Sequence, residues 1–200
     1  MALFRKGFVT LALLAGSLLV IYAAVRTPAN ATHTGSFIRN TSSGFVVDVV
    51  GALQNNGQPV ILFLQHGGEN QLYDVQFVGG NRFMFVARHS GKCLDVTGFS
   101  TQDGAPIIQW DCHGGPNQVW ELGIMANPGP CPPFGCATIG TTIRAVHSGK
   151  CLDAANPNFP TPPLQGALLQ QWSCARNTDD SWWRNQTWAV DPLHPPAGPH

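Results

Sequence analysis

Three kinds of side chain with binding chemistry recur in the same order at two places in the chain. The set is a carboxylate, an indole ring and a carboxamide: Asp95, Trp110 and Asn117 in one place, and Asp153, Trp172 and Asn185 in the other. A carboxylate accepts hydrogen bonds, an indole offers a flat apolar face, and a carboxamide both donates and accepts. The combination favours a binding site for a ligand with polar groups and an apolar face. The alternative for each aspartate alone is a turn residue that caps the following loop.

The same residues argue against catalysis. Glycoside hydrolysis requires two carboxylates facing one bond, whereas the acidic residues here occupy repeated positions, one in each copy. The chain carries no G-x-S-x-G, H-E-x-x-H, P-loop or dinucleotide fingerprint. His89 and His147 precede Ser-Gly turns and are better explained as turn residues than as bases. We therefore expect a protein that is not an enzyme and needs no cofactor.

These residues belong to a repeated unit. The heptapeptide from His89 to Asp95 recurs unchanged from His147 to Asp153. A Gln-Trp-x-Cys block ends at Cys112 in one copy and at Cys174 in the next, and an Asn-Gln-x-Trp block closes both copies, at Trp120 and Trp188. Self-similarity of this kind indicates stacked copies of one structural unit.

A fainter third copy lies upstream. Its counterparts of the aspartate, ring, carboxamide and closing residues are Asp48, Phe63, Asn70, Gln71 and Tyr73. The three repeats cover about 36–80, 81–125 and 139–191, with insertions around Cys131–Cys136, Pro157–Leu164 and Ala175–Trp183. Val46 and Phe63 replace a cysteine and a tryptophan, which favours a first copy kept for packing.

The chain begins with a targeting pattern. Arg5 and Lys6 precede the apolar run Gly7–Val25, and Ala29–Ala31 offers the small-x-small pattern of a cleavage site. We predict a signal peptide over residues 1–31, a domain over 32–191 and a Pro-rich tail over 192–200. The alternative is an uncleaved anchor, because the run is just long enough to span a bilayer. Either case places the domain outside the cytoplasm, and we expect a secreted protein whose only membrane contact is through an uncleaved leader.

Composition agrees with a secreted β protein. Without Arg5, Lys6 and Arg26, 8 basic residues remain against 11 acidic ones, a net charge of −3, which excludes the basic footprint of a nucleic-acid binder. Only 11% of residues are charged, and 22 Gly with 16 Pro suit short strands and turns. In the second repeat we predict strands at about Phe83–Ala87, Cys93–Val96, Ile107–Trp110 and Trp120–Leu122. Three such units give an all-β fold whose short strands close into a barrel with approximate threefold symmetry.

Six cysteines in an exported chain predict disulfides. The repeat pairs Cys93 with Cys112 and Cys151 with Cys174, which leaves Cys131 with Cys136 as a small loop. Each of the first two pairs closes a loop of about 20 residues, which stabilises the fold by about 3 kcal/mol. The rival interpretation is zinc, but paired C-x-x-C spacing is lacking and the compartment is oxidising. We expect no metal site.

In this order and repeated, Cys-Leu-Asp, Gln-Trp-x-Cys and Asn-Gln-x-Trp resemble the ricin B-type (R-type) lectins, also called family 13 carbohydrate-binding modules. The resemblance covers roughly Phe37 to Asp191 and implies a β-trefoil fold of three four-stranded units. The chain departs from the family pattern in a first copy without a disulfide and a third copy enlarged by insertions.

The resemblance implies that the repeats bind galactose-type or xylose-type sugars. A carboxylate would accept sugar hydroxyl groups, an aromatic ring would lie under the C–H face, and amides would add polar contacts. The sugar-binding residues that it implies are Asp95, Trp110, His113, Asn117 and Gln118 in the second repeat, and Asp153, Trp172, Asn185 and Gln186 in the third. The first repeat offers the weaker set Asp48, Phe63, Asn70 and Gln71. Alternatively, the closing glutamines satisfy buried backbone while Tyr73, Trp120 and Trp188 fill the core.

The leading hypothesis is a non-catalytic lectin whose partner is a glycan or polysaccharide. The second is a recognition or delivery subunit for a separately encoded toxin or hydrolase, in which protein contact dominates. Apolar insertions around Pro130–Phe134 or at Trp182 and Trp183 would favour that hypothesis. A third hypothesis is a β-trefoil protease inhibitor, for which Pro157–Leu164 is the candidate exposed loop.

Overall fold

The repeated sequence folds into repeated groups of four strands. The computed structural model describes residues 32–123, 141–156, 161–175 and 184–191. The first repeat contributes β1 (Thr32–Asn40), β2 (Val46–Val49), β3 (Gln58–Phe63) and β4 (Tyr73–Gly79). The second contributes β5 (Arg82–Ala87), β6 (Cys93–Val96), β7 (Ala105–Trp110) and β8 (Trp120–Gly123). The third contributes β9 (Thr142–Ala145), β10 (Cys151–Ala154), β11 (Leu169–Trp172) and β12 (Trp188–Asp191).

Short 3-10 turns connect several of these strands. They span Val50–Ala52, Glu69–Gln71, Thr97–Phe99 and Arg184–Gln186. The predicted leader, the tail, the Cys131–Cys136 pair and the tryptophans at 182 and 183 lie outside the described residues. Among the described residues, no helix is both long and apolar enough to cross a membrane.

The outer strands of the three repeats close into a six-stranded ring. Pairing runs from β1 to β4, β5, β8 and β9, and β12 returns to β1. A bridge between Thr141 and Trp188 joins the start of β9 to β12, with N···O distances of 2.6 and 2.9 Å. Because every strand of the ring has a partner on both sides, these short strands leave no unpaired edge. The all-β barrel predicted from the repeats is therefore present.

Three hairpins, formed by the inner strands of the repeats, pair with one another. They are β2–β3, β6–β7 and β10–β11. Gln58 pairs with Gln109, Ala105 pairs with Gln171, and Ile61 bridges to Leu168, so each hairpin contacts the next around a threefold axis. This arrangement of a barrel and three hairpins is that of a β-trefoil.

The closing aromatic residues fill the core, as predicted. Tyr73, Trp120 and Trp188 are fully buried in one cluster with the apolar residues of all three repeats. The indole N–H of Trp120 donates to the carbonyl of Leu94 at 3.3 Å, and that of Trp188 donates to Leu152 at 3.0 Å. The hydroxyl of Tyr73 is buried and has no partner among the described residues. The core aromatic residue of the first repeat therefore lacks the hydrogen bond that its counterparts in the other two repeats make.

The repeated heptapeptide and the Gln-Trp block fasten each repeat to the one before it. Gln109 is fully buried, and its Nε2 donates to the carbonyls of Leu53 and Asn55 at 2.7 and 2.9 Å. Ser90 donates to Oε1 of the same glutamine at 2.8 Å. His89 lies 3.2 Å from the carbonyl of Leu53, which agrees with its interpretation as a turn residue. In the third repeat, Gln171 and His147 make the equivalent contacts to carbonyls of the second repeat, and Ser148 donates to Gln171.

Two of the predicted disulfides are confirmed. Cys93 is bonded to Cys112, and Cys151 is bonded to Cys174. Each bond ties the start of the first hairpin strand to the loop that follows the second. That loop carries the polar residues of the candidate site, so the disulfide restricts its position.

Candidate functional site

The second repeat holds an open cleft of about 420 Å³ beside its hairpin. This volume lies within the range of about 300–1,000 Å³ that is usual for small-molecule sites. The residues that line it are Asp95, Thr97, Gly98, Phe99, Ile108, Trp110, His113 and Asn117. The cleft therefore contains the aspartate, the tryptophan and the asparagine whose recurrence the sequence revealed.

Strand register explains why Asp95 and Trp110 share this cleft. Asp95 pairs with Ile108, and Cys93 pairs with Trp110. Directly paired residues of an antiparallel sheet lie on one face, and so do residues two apart along a strand. Asp95 and Trp110 therefore extend from the same face of the hairpin, two residue pairs apart.

Asp95 is held rigidly, with one oxygen left for a ligand. Its side chain is buried, and its Oδ2 accepts hydrogen bonds from Asn117 Nδ2 at 2.9 Å and Gln118 Nε2 at 2.8 Å. Its Oδ1 accepts none from the described residues and belongs to a residue that lines the cleft. Burial raises the pKa of Asp95, partly opposed by the Gln118 hydrogen bond and by His113. Fixed in this way, the carboxylate can accept a ligand hydroxyl group without rearranging.

The closing glutamines lie behind the aspartates and not at the surface, which corrects their prediction as sugar contacts. Gln71, Gln118 and Gln186 are fully buried. Gln118 Oε1 accepts from the backbone N–H groups of His113 and Gly114, while its Nε2 donates to Asp95 and to the carbonyl of Asp111. Each of its amide atoms is thus used within the protein. Gln71 makes the same four contacts in the first repeat, so these residues position the carboxylate and the following loop.

The asparagines that were predicted as sugar contacts are also buried. Asn117 and Asn185 are buried, and their Nδ2 groups donate to Asp95 and Asp153 at 2.9 and 2.8 Å. Both Oδ1 atoms are enclosed and have no hydrogen-bond partner among the described residues. Asn70 is buried as well, but it donates to the carbonyl of Val49 and not to an aspartate. The asparagines therefore support the base of each site.

His113 brings an N–H group to the cleft. The backbone N–H of Gly115 donates to His113 Nδ1 at 3.0 Å, so a neutral His113 carries its proton on Nε2. That nitrogen lies 3.5 Å from Asp95 Oδ2. A Cβ atom at Gly115 would lie 2.7 Å from the imidazole, so this glycine allows the ring to fold back over the loop. The result is a donor beside an acceptor, a pairing that suits adjacent hydroxyl groups.

Two exposed aromatic rings form the apolar part of the cleft. Trp110 is 42% exposed, and a Cβ atom at Gly57 would lie 3.9 Å from its ring, so the hairpin of the preceding repeat supports it. Phe99 is 51% exposed and stacks against His113 with ring centroids 5.8 Å apart. Phe99 was not among the predicted site residues. The signal that could have found it is an aromatic residue four positions after Asp95, where the first repeat has Ala52.

The third repeat presents a closed version of this arrangement. Asp153 Oδ2 accepts from Asn185 and Gln186 at 2.8 and 2.9 Å, but Gln170 also donates to Oδ1 at 2.9 Å. Trp172 is 38% exposed on the same face of the hairpin, because Cys151 pairs with Trp172 and Asp153 with Gln170. Gln170, which the sequence interpretation missed, occupies the position of Ile108. Burial raises the pKa of Asp153 to about 6.

The first repeat keeps the polar half of the site. His66 Nε2 lies 3.2 Å from Asp48 Oδ2, to which Gln71 donates at 2.8 Å. Phe63 replaces the tryptophan, and its centroid lies 6.1 Å from that of His66 in an edge-on arrangement. The set predicted to be weaker is thus brought together, with a smaller ring. In the described residues, no group of three or more His, Cys, Asp or Glu side chains is arranged to hold a metal ion.

A barrel with three hairpins, each of which carries a buried aspartate beside an aromatic ring, defines a β-trefoil binding domain. The chain belongs to the family described as ricin-type β-trefoil lectin domain-like, whose sequence model matches residues 28–110 and 69–130. Proteins of this family are lectin or carbohydrate-binding domains and are generally non-catalytic. The family resemblance expected from the sequence is confirmed.

Solved structures with the same architecture include a designed protein and natural ones. ThreeFoil, a designed threefold-symmetric protein, is 33% identical over 80% of this chain and 99% of its own, with a TM-score of 0.65. The exo-β-1,3-galactanase 1,3Gal43A from Clostridium thermocellum is 26% identical over 84% of this chain and 31% of its own, with a TM-score of 0.64. The Macrolepiota procera ricin B-like lectin, solved with lactose, is 20% identical over 84% and 99%, with a TM-score of 0.56. No match is found among curated proteins.

Proposed function

We propose that this protein is a secreted, non-catalytic lectin that binds galactose-type or xylose-type sugars through the clefts of its repeats. The observation that carries the proposal is the position of Asp95. Asp95 lines a cleft beside the exposed indole of Trp110, and its Oδ1 accepts no hydrogen bond from the described residues. The lectin family and the lactose complex of one structural neighbour support carbohydrate as the ligand class. The disulfides and the leader pattern support secretion.

In the second repeat, each group has a defined part in binding. Asp95 Oδ1 accepts one or two sugar hydroxyl groups, and the Nε2–H of His113 donates to an adjacent oxygen. Trp110 packs against the C–H face of the pyranose, a contact that favours aromatic rings. Gln118 and Asn117 keep the carboxylate in place, so little order is lost on binding.

The three repeats differ in how many of their groups are free to bind a sugar. The second has a free carboxylate oxygen and two exposed rings. The first has a smaller ring, and in the third Gln170 already occupies one of the two acceptor positions of Asp153 Oδ1, which leaves fewer for sugar hydroxyl groups. We therefore expect the second repeat to bind most tightly, with the other two adding avidity towards a branched or polymeric glycan.

A glycan array tests this proposal. The variants Asp95→Asn, Asp153→Asn and Asp48→Asn each remove one carboxylate without changing side-chain volume. Glu121→Gln is the matched control, because Glu121 lies on barrel strand β8 and pairs with Arg82 and Arg144, away from the cleft residues. We expect the largest loss of signal with Asp95→Asn and none with Glu121→Gln. Unchanged array binding by the triple aspartate variant would contradict the proposal.

A second candidate function is recognition for a separate toxin or hydrolase. The galactanase and a mosquitocidal holotoxin each contain a region similar to this chain, which spans 31% and 18% of those proteins. Co-purification of one catalytic protein with the wild type and equally with the triple aspartate variant would favour that function. Capture that depends on the aspartates would instead indicate glycosylated material bound as sugar.

A further inference from the structure

Phe99 is an exposed aromatic residue with an unfavourable backbone conformation. It ends the 3-10 turn that follows β6, has a φ of +54°, and leaves half of its surface in solvent. Positive φ is costly for a residue that carries a Cβ atom. Only about half of the side chain is buried, so packing offsets this cost in part. Strain of this kind is often found at functional sites.

The first repeat shows that the backbone itself does not require a ring here. Ala52 occupies the matching position after Asp48 and adopts almost the same conformation, with a φ of +51°. The turn is therefore common to both repeats, and only the side chain differs. An alanine is also demonstrably compatible with this turn.

The register places Phe99 at the far side of the carboxylate from Trp110. Trp110 lies at the level of Cys93, and Asp95 lies two residues further along β6. Phe99 comes after the end of β6 and also lines the cleft. The two residues therefore lie on either side of Asp95 along the hairpin, and both line the cleft.

Two histidines hold the ring of Phe99 in position. His113 stacks on it with an interplanar angle of 23°, and His147 of the next repeat contacts it edge-on, with centroids 6.3 Å apart. The ring of Phe99 is thus held by contacts within its own repeat and across the repeat boundary.

We propose that Phe99 is a second aromatic wall that makes this cleft prefer pyranoses with all-equatorial hydroxyl groups, such as xylose and glucose, over galactose. The inference rests on the proposed function. Equatorial hydroxyl groups leave axial C–H bonds on both faces of the ring, so two aromatic walls can both pack against it. The axial 4-hydroxyl of galactose places a polar group on one of those faces. One wall would lose its apolar contact with galactose.

The test isolates the second repeat in an Asp48→Asn/Asp153→Asn background and measures affinity for methyl β-xyloside and methyl β-galactoside by calorimetry or NMR titration. We expect the xyloside to bind about fivefold more tightly, because only the xyloside can pack against both rings. Phe99→Ala should weaken xyloside binding by about two- to tenfold and galactoside binding less, which removes the preference. Phe99→Trp should retain it. Thermal melting checks that both variants remain folded.

Two results would overturn the inference while leaving the proposed function in place. One is a galactoside that binds as tightly as the xyloside in the background protein. The other is a Phe99→Ala variant that weakens both glycosides equally. If neither glycoside shows binding that Asp95→Asn removes, the proposed function fails together with the inference.

Discussion

The buried carboxylate of the third repeat should weaken the fold at neutral pH. Asp153 is 2% exposed, and burial raises its pKa from 3.8 to about 6, although Gln170 and Gln186 donate hydrogen bonds to it. The negative charge of Asp103 adds to this increase. The folded protein therefore resists ionisation of Asp153 more than the unfolded chain does.

The sign and size of the effect follow from this difference. Because the unfolded chain loses the proton first, unfolding is favoured once the pH exceeds the unfolded pKa. The cost is fully present above the folded pKa of about 6. Two pH units at 1.36 kcal/mol each give about 3 kcal/mol. Asn cannot ionise and fills the same space, and the amide of Gln170 can rotate to accept from it. Asp153→Asn should therefore stabilise the protein by up to about 3 kcal/mol at pH 8, and by only a fraction of this at pH 4.

Urea unfolding followed by tryptophan fluorescence, at pH 8 and at pH 4, measures this difference. Glu121→Gln serves as the control, because it also removes one carboxylate and should show no such gain at pH 8. A variant less stable than the wild type at pH 8, or a gain of equal size at both pH values, would refute the reasoning. The same variant should bind glycans less well, so that a stabilising change is a functional loss.

Three further predictions concern the supporting residues. Tyr73→Phe should leave stability unchanged or raise it by about 1 kcal/mol, because the buried hydroxyl has no partner among the described residues. A clear fall in melting temperature would contradict this. Gln118→Leu should destabilise by at least about 2 kcal/mol in urea unfolding and weaken sugar binding, because it leaves the loop N–H groups unpaired and removes one of the two hydrogen bonds that hold Asp95. Wild-type stability would place the glutamine outside the site. Removal of the Cys93–Cys112 disulfide should cost about 3 kcal/mol, and a loss below about 1 kcal/mol would show that the loop is held without it.

Much of the scaffold could be predicted because it is encoded locally and repeatedly. The predicted strand Cys93–Val96 has its expected bounds, and its neighbour β7 starts two residues earlier, at Ala105. Those two residues pair with β11 of the third repeat, a contact that no local pattern reveals. The disulfides Cys93–Cys112 and Cys151–Cys174 could also be predicted, because two copies in register fix their partners.

The burial of each site residue could not be predicted, because it depends on contacts between distant parts of the repeat. A glutamine can hydrogen-bond either to a sugar or to a buried carboxylate, and the sequence does not distinguish the two. The fold shows that Gln118 donates to the carboxylate of Asp95. Phe99 and Gln170 were missed because neither recurs in the other repeats. Their importance comes from register, which brings one beside His113 and the other against Asp153. Recurrence identifies the shared scaffold, whereas differences between the repeats set their individual binding properties.

The most direct test is an NMR titration of the tryptophan indole N–H signals with xylo-oligosaccharides and lactose. The chain has six tryptophans, of which Trp120 and Trp188 are fully buried and Trp110 and Trp172 are exposed in the hairpins. We predict saturable shifts of the Trp110 signal, smaller ones for Trp172 and none for the buried pair, with the Trp110 shifts lost in Asp95→Asn. An unshifted Trp110 signal in the presence of a glycan that binds the protein would contradict the assignment of this cleft.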